Sequence, residues 1–461
     1  MPVTHRILLA AVAVLCIAAP NADGATRGLA LGFFDPAFAE NDQAAAYQHA
    51  AAVGASRVRL MVPWISIAKE APTNPADPAD PAYDWRFADQ AVRGAVAHHQ
   101  RLLLDITGAP AWAEGPNRQA SAPPGTWKPD PEAFGAFAQA AATRYSGTYV
   151  DATGAVLPAV RDWQAWNEPN IYTNLNPQWV TMNGRATEFA PAHYRAMLNA
   201  FYVGVKGVSS ANTIVTAGMA PYGDPGVGRR IMPVRFWRSL TCLAKPCSAP
   251  AKFDVAAHHP YGVRGPTSPA LNADDAAVPD VDKIRDVIAK AVTRKRVSPA
   301  RSKPMWVTEI SWDSSPPDPD GIPSQRHARW LEQALYVLWK QGVSVVTWFR
   351  IVDEPPNPGY SSTSQSGVFL RNWQPKPAAT AFRFPFVVER VGSSSVRLWG
   401  KSPRTGQTTV EIRSPSGSWR QLITTRPGSS HVFSVRAKLR GKAMLRARQG
   451  RDVSLTWSVG S

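Results

Sequence analysis

Cysteine is almost missing from this chain, with three residues in 461. Cys242 and Cys247 have no second pair and no histidine at ligand spacing around them, which argues against a structural zinc site; no metal or other cofactor is expected. Long apolar runs are also missing. Beyond the N-terminus no stretch approaches the roughly 20 consecutive apolar residues that cross a bilayer, so the chain is not expected to span a membrane. A Gly-rich phosphate loop is absent after the first candidate strand, where Phe33-Phe34-Asp35-Pro36 stands instead, and this weakens a doubly wound nucleotide-binding sheet as the fold. Acidic residues are in deficit, 34 Asp and Glu against 51 Lys and Arg, for a net charge of +17. Such an excess raises nucleic acid as a partner. From Phe384 to Ser461, however, there are fourteen Lys and Arg against three Asp and Glu, so most of the surplus sits on the tail. No nucleic-acid-binding motif accompanies it. A basic tail on an exported chain is expected either to buttress the rest of the chain or to meet an anionic cell-surface polymer, not nucleic acid, and the chain is expected to be a monomer.

Residues 1–25 read as an export signal. His5 and Arg6 precede an apolar run from Ile7 to Ala19 and a small-residue tail, too short for a stable membrane span. Leu15 stands before Cys16 where a lipoprotein site takes a small residue, so no lipid anchor is expected. The expectation is a secreted or cell-envelope protein. In an oxidising compartment Cys242 and Cys247 are expected to form a disulfide closing a small loop; two free thiols are the alternative, because spacing does not fix geometry.

Over residues 26–383 short apolar runs alternate with helix-like segments. The strand candidates are 28–34, 56–61, 101–106, 160–166, 213–218, 253–258, 304–309 and 344–349. Helix punctuation supports the intervening segments: Asn41 as a cap with a stop at Gly54, Asp130-Pro131 opening a helix that ends near Gly147, and Ser324 opening one that runs to Gly342. Eight β-then-α units predict an α/β fold, a (β/α)8 TIM barrel with enlarged loops, of which the Pro-rich Ala71–Pro81 stretch is one. Residues 384–461 change to short alternating stretches separated by Gly, Ser and Pro, which predict six or seven strands of a small β-sandwich.

In a barrel, chemistry belongs at the C-terminal ends of the strands. There the fourth candidate strand ends in Trp163-Gln164-Ala165-Trp166-Asn167-Glu168-Pro169-Asn170. Pro169 stops the ladder just after Glu168, and Asn167 can donate to a substrate hydroxyl. The seventh ends in Pro304-Met305-Trp306-Val307-Thr308-Glu309. A Glu closing an apolar strand is costly unless it is paired or used. Two carboxylates facing one another across a barrel mouth are what glycosidic cleavage requires, one protonated to serve the leaving oxygen and one ionised to attack. Seventeen tryptophans offer surfaces on which sugar CH faces pack. Trp64, Trp112, Trp312 and Trp348 lie at or just after strand ends and are candidate stacking residues; Asp105, Asp313 and Asp353 lie near strand ends as well.

With these motifs the chain resembles the clan A glycoside hydrolases, particularly families 39 and 5, over the span from Arg59 to Trp348. The resemblance implies a retaining mechanism in which Glu168 is the acid/base, Asn167 its substrate-binding neighbour and Glu309 the nucleophile. It further implies that Arg59, on the second strand, lies near the nucleophile, and that the tyrosine of His259-Pro260-Tyr261 hydrogen-bonds it. His258 competes with His259 for the histidine position. Trp348 would form the sugar platform and often precedes a cis peptide. The expected function is therefore a secreted glycosidase acting on a polysaccharide, oligosaccharide or glycoconjugate. A noncatalytic carbohydrate-binding protein on a degenerate barrel and a transglycosylase with the same site are the rival readings.

Overall fold

The computed structural model describes residues 27–40 and 43–460. The expected export signal and the Asn41 cap lie outside the described residues. Eight parallel strands form one sheet: β1 Ala30–Phe34, β2 Arg57–Pro63, β3 Arg101–Thr107, β4 Asp162–Ala165, β5 Thr213–Thr216, β6 Ala256–His258, β7 Met305–Val307 and β8 Val343–Phe349. The order runs from β5 through β4, β3, β2 and β1 to β8, β7 and β6. Parallel bridges Val215–Val255 and Met219–His258 join the two ends, so the sheet closes into a barrel.

A helix follows each strand: α1 Gln43–Ala52, α2 Arg86–Ala97, α3 Pro131–Arg144, α4 Ala190–Val208, α5 Pro233–Leu240, α6 Val281–Thr293, α7 Ser324–Lys340 and α8 Pro377–Arg383. Their ends follow local chemistry. The Asp130 side chain accepts from the backbone of Ala133, satisfying an orphan N–H at the start of α3. Ser324 is the first residue of α7 and Pro323 the cap; the Ser324 hydroxyl donates to the carbonyl of Ser315 rather than capping. Helices α3 and α4 approach closely because Gly204 carries no side chain: a Cβ there would lie 2.2 Å from the carbonyl oxygen of Gly135.

Side-chain parity sorts the barrel into an outer and an inner core. Leu31, Val58, Leu104, Trp163, Ile214, Val307 and Val346 join the buried layer beneath the helices. Leu103, Val215, Val255, Ala257, Trp306 and Val345 form a separate buried cluster. Residues from so many strands of one closed sheet can meet only inside it. Arg57 stacks over the Trp306 ring, 4.9 Å from its centroid, and pairs with the buried Asp162 at 2.7 Å. The inner layers above this floor are polar, and the candidate site is built from them.

After α8 the chain enters an all-β unit of seven main strands. β9 Phe386–Gly392, β10 Ser395–Lys401 and β13 Val432–Lys438 form one antiparallel sheet; β11 Thr408–Arg413, β12 Trp419–Thr425, β14 Ala443–Gln449 and β15 Trp457–Val459 form the other. Phe386, Val388, Leu398, Val410, Ile412, Phe433 and Leu445 fill the space between them. The opposite parity of β9 and β10 faces the barrel: Val387, Trp399 and Val432 belong to the barrel's buried core. Trp399 is fully buried against Tyr336 and Trp339 of α7, with ring centroids 5.3 Å and 5.8 Å away. Ion pairs Lys340–Glu389 (2.7 Å) and Arg383–Asp452 (2.9 Å) flank that contact. The architecture is thus a TIM barrel carrying a β-sandwich. No described helix is long and apolar enough to cross a membrane.

Candidate active site

The site begins with Arg59, whose inward parity on β2 places a fully buried guanidinium in the upper barrel. Its nitrogens fan out to four acceptors on three strands. Nε donates to Gln164 Oε1 on β4 (2.8 Å), Nη1 to Glu309 Oε2 after β7 (2.9 Å), and Nη2 to Asp105 Oδ2 on β3 (2.7 Å) and to Asn167 Oδ1 after β4 (2.8 Å). The planar fork of arginine suits such a hub, because its donors diverge in fixed directions and cannot lose their charge. Phe34 of β1 closes the remaining side, its ring centroid 4.4 Å from the guanidinium carbon.

Glu309 is held at both oxygens, Oε2 by Arg59 and Oε1 by the Tyr261 hydroxyl at 2.6 Å. Each donor holds one carboxylate oxygen, so together they fix the orientation of the group. Burial and the neighbouring Glu309 charge together push the Tyr261 hydroxyl far above its ordinary range, so it stays a donor. Asp105, beneath Arg59, is pushed up to about 7, first by burial, against the pull of Arg59.

Glu168 stands in different surroundings. Burial pushes it up to about 7, with Arg59 only partly opposing. Its Oε1 is 2.9 Å from Nδ1 of His259, and the same nitrogen is 3.9 Å from Glu309 Oε2. The two carboxylates therefore flank one imidazole. Both still reach the barrel mouth, their side chains retaining 16% and 15% of their surface. Backbone geometry aims Glu168: Trp166 and Glu168 adopt positive φ values of 76° and 39°, a cost paid at a turn pinned on several sides. The Glu168 amide donates to Gly218 (3.0 Å), the Trp166 indole to the carbonyl of Asn174 (2.9 Å), and the Asn174 side chain to the carbonyl of Asn167 (3.1 Å). Because Asn167 Oδ1 must face the donating Arg59, its amide NH2 is the group left for a ligand.

The ambiguity between the two histidines resolves by parity. His258 points outward, bonded to the carbonyl of Ala276 at 2.7 Å, and His259 points into the site. Burial holds His259 neutral, its pKa pushed down to about 3.

The tryptophan expectations divide. Trp348 is corrected: it is 1% exposed, turned outward against His327 of α7, and donates to the carbonyl of Ser366, so it presents no face to a sugar, and no cis peptide follows it. The aromatic of β8 that shares Arg59's side of the sheet is Phe349, half-buried with its ring 5.4 Å from that of Phe34. Trp64 is likewise corrected, being fully buried against Phe134 and Phe137 of α3. Trp112 is half-buried, edge-on to Trp64 and donating to the carbonyl of Ala68. Trp312 is half-buried and donates to the carbonyl of Gly262, next to Tyr261. Asp353 pairs with buried Lys376 at 2.6 Å and Asp313 accepts from Ser364 and Gln365, so both hold loops together. Cys242 and Cys247 are joined as a disulfide.

Three residues of the network were not anticipated as site residues: Gln164, Thr308 and Phe349. Gln164 and Thr308 are neutral, so neither carries the charge signal that singled out Glu309; their adjacency to the two motifs was the available clue.

No protein-family model and no curated protein matches the chain. Solved structures do. A family 39 glycoside hydrolase from the gut symbiont Bacteroides cellulosilyticus WH2 superposes with a TM-score of 0.56 at 17% identity, over 90% of this chain and 80% of that one. The family 39 enzyme of Xanthomonas axonopodis pv. citri gives 0.53 at 16% identity, over 92% and 95%. A family 39 beta-xylosidase from Caulobacter crescentus gives 0.52 at 16% identity, over 90% and 96%. The barrel alone cannot supply such shares of this chain, so the likeness extends into the sandwich. The chain has the barrel-plus-sandwich fold of these clan A, family 39 glycoside hydrolases.

Proposed function

We propose that the protein is a retaining glycoside hydrolase in which Glu168 is the acid/base and Glu309 the nucleophile. One observation carries the reading: the two carboxylates flank a single imidazole in opposite electrostatic surroundings. Burial favours the protonated form of Glu168, the state a general acid needs at neutral pH. Glu309 instead accepts hydrogen bonds from a guanidinium and a phenol, donors that orient a carboxylate nucleophile. Their distances to the shared Nδ1, 2.9 Å and 3.9 Å, bring the two carboxylates close together, compatible with the separation of about 5–5.5 Å between carboxyl groups that a retaining mechanism uses. That supports double displacement through a covalent glycosyl-enzyme. Asn167 would hold a hydroxyl of the sugar, and Phe349 with Trp312 would supply the aromatic surface.

The substrate would be a polysaccharide, oligosaccharide or glycoconjugate. The disulfide supports an oxidising, extracytoplasmic location for the mature chain. The sandwich would act as a buttress, since part of its core is shared with α7. The deciding experiment is hydrolysis of a panel of aryl and natural glycosides with product stereochemistry followed by NMR, paired with a 2-deoxy-2-fluoro glycoside of the accepted sugar. Retention and covalent labelling of Glu309 are expected. Inversion, or label on another residue, refutes the assignment.

A further inference from the structure

Resting on the reading of Glu168 as proton donor, we propose that Thr308 and Gln164 are positioning residues that fix the proton of His259 on Nδ1. Glu168 then accepts from the imidazole through Oε1 and carries its own acidic proton on Oε2, the oxygen left for the glycosidic bond.

One chain of hydrogen bonds leads from Arg59 to His259, and its polarity is forced at its start. An arginine can only donate, so Gln164 Oε1 must be the atom facing Arg59 Nε. At the other end of the same amide, Nε2 lies 2.9 Å from the carbonyl of Thr216, which can only accept. Two independent partners thus agree on which way the amide lies. The second hydrogen of Nε2 then goes to Thr308 Oγ1 at 3.1 Å. Having accepted there, Thr308 has its own hydroxyl proton to place. His259 Nε2 is 2.9 Å away, and among the described residues no other acceptor is in hydrogen-bond reach of that hydroxyl. The proton goes to Nε2, which must then be a bare lone pair. A neutral imidazole has one N–H, so it sits on Nδ1, 2.9 Å from Glu168 Oε1.

The surroundings hold this arrangement. Gly218 lies against the ring, where a Cβ would come within 2.0 Å of Nε2, so the imidazole cannot be displaced without moving backbone. Of the charged and titratable groups nearby, Glu309 lies 3.9 Å from Nδ1, Tyr261 bonds Glu309, Arg59 bonds Glu309 and Asp105, and none of them bonds Nε2. The consequence is mechanistic. With the proton on Nδ1, the imidazole supports the Glu168 anion left after proton donation and accepts nothing from the acid form. In the other tautomer Nδ1 would be a lone pair, a protonated Glu168 would donate into it, and the proton would be withheld from the leaving oxygen.

The tautomer can be read without any substrate. In full-length protein labelled with 15N in the histidine rings, two-bond proton–nitrogen correlation spectra should show His259 with a protonated Nδ1 and a bare Nε2. Thr308→Ser, which keeps the hydroxyl, should preserve that pattern. Thr308→Val should populate the Nε2–H form. On a 4-nitrophenyl and a methyl glycoside of the sugar accepted in the hydrolysis panel, Thr308→Val should lower kcat on the methyl glycoside at least tenfold. KM should stay within twofold, and the alkaline limb should move to higher pH. An Nε2–H imidazole in the wild type, or an unchanged tautomer in Thr308→Val, overturns the proposal even if the variant is inactive or unstable. If the tautomer is as stated but Glu168→Ala spares the methyl glycoside, the relay stands and the role of Glu168 falls.

Discussion

Replacing Arg59 by Lys keeps the charge at the centre of the site and removes only the fork, so it tests whether geometry or charge holds the upper barrel together. Lysine's ammonium is compact and can serve Glu309 and Asp105 together only by abandoning the diverging contacts to Gln164 and Asn167. Gln164 Oε1, fully buried, and Asn167 Oδ1 would lose their donors. An unsatisfied buried acceptor costs about 1–3 kcal/mol, so the pair is worth roughly 2–5 kcal/mol, Asn167 contributing toward the low end because it borders the mouth. If half of that also appears in the transition state, through a misplaced Asn167 and a loosened Glu309, kcat/KM falls about fivefold to sixtyfold at 1.4 kcal/mol per decade. Urea unfolding followed by tryptophan fluorescence gives the first quantity, and initial rates on an aryl glycoside the second. A stability change below about 0.5 kcal/mol together with kcat/KM within threefold of wild type would refute the claim that the fork matters.

Glu168→Ala should suppress glycosides with poor leaving groups far more than activated aryl glycosides, and added azide should restore the latter; equal loss on both removes Glu168 from the acid role. In the wild type, kcat/KM should fall as pH rises through about 7, because burial keeps Glu168 protonated up to that point, and a pH–rate profile flat from 5 to 9 contradicts it. Trp348→Ala should cost about 3–5 kcal/mol of stability with little change in KM, whereas Phe349→Ala should raise KM severalfold with a smaller stability loss; thermal melts and saturation kinetics on the two variants check the exchange. Asp105→Asn should flatten the pH dependence of stability. The folded-state pKa of Asp105 is raised from an ordinary 3.8 to about 7, so its contribution weakens as pH climbs through that window, and the drop in urea midpoint between pH 5 and pH 8 should shrink in the variant.

All eight barrel strands were legible because each is an apolar run between turn residues, and the clearest of them, around Leu102–Leu104, was placed to within one residue. Where the expected strands were too long, a side chain had taken over the ladder. The sixth was read from residue 253 and begins at Ala256, because Asp254 turns back to accept from the Ile214 backbone. The seventh was read to residue 309 and ends at Val307; beyond it the carbonyl of Thr308 is claimed by the Thr347 hydroxyl. Glu309 was legible for a reason of cost, since an apolar strand accepts a carboxylate only if it is paired or used, whereas Arg59 entered only through the family resemblance.

The Trp348 misassignment shows what a one-dimensional pattern leaves out. Strands of a parallel barrel are covered on both faces, so β8 reads as nearly continuous apolar sequence and carries no visible alternation. The resemblance implies a tryptophan platform at the end of the eighth strand, and Trp348 is the tryptophan that stands there. Register decides otherwise, since Phe34 is aligned with Arg59 on one side and with Phe349 on the other. Residues in register across parallel strands share a face, so the inward direction of Arg59 passes through Phe34 to Phe349 and sends Trp348 outward to α7. One charged residue of known direction therefore orients its neighbours around the barrel. By the same rule Asp105 and Gln164 come into line on β3 and β4, where they are aligned partners. Gln164 sits inward because the register leaves it nowhere else to go, and its neutral amide turns the fixed polarity of Arg59 into a hydrogen-bond direction that reaches His259.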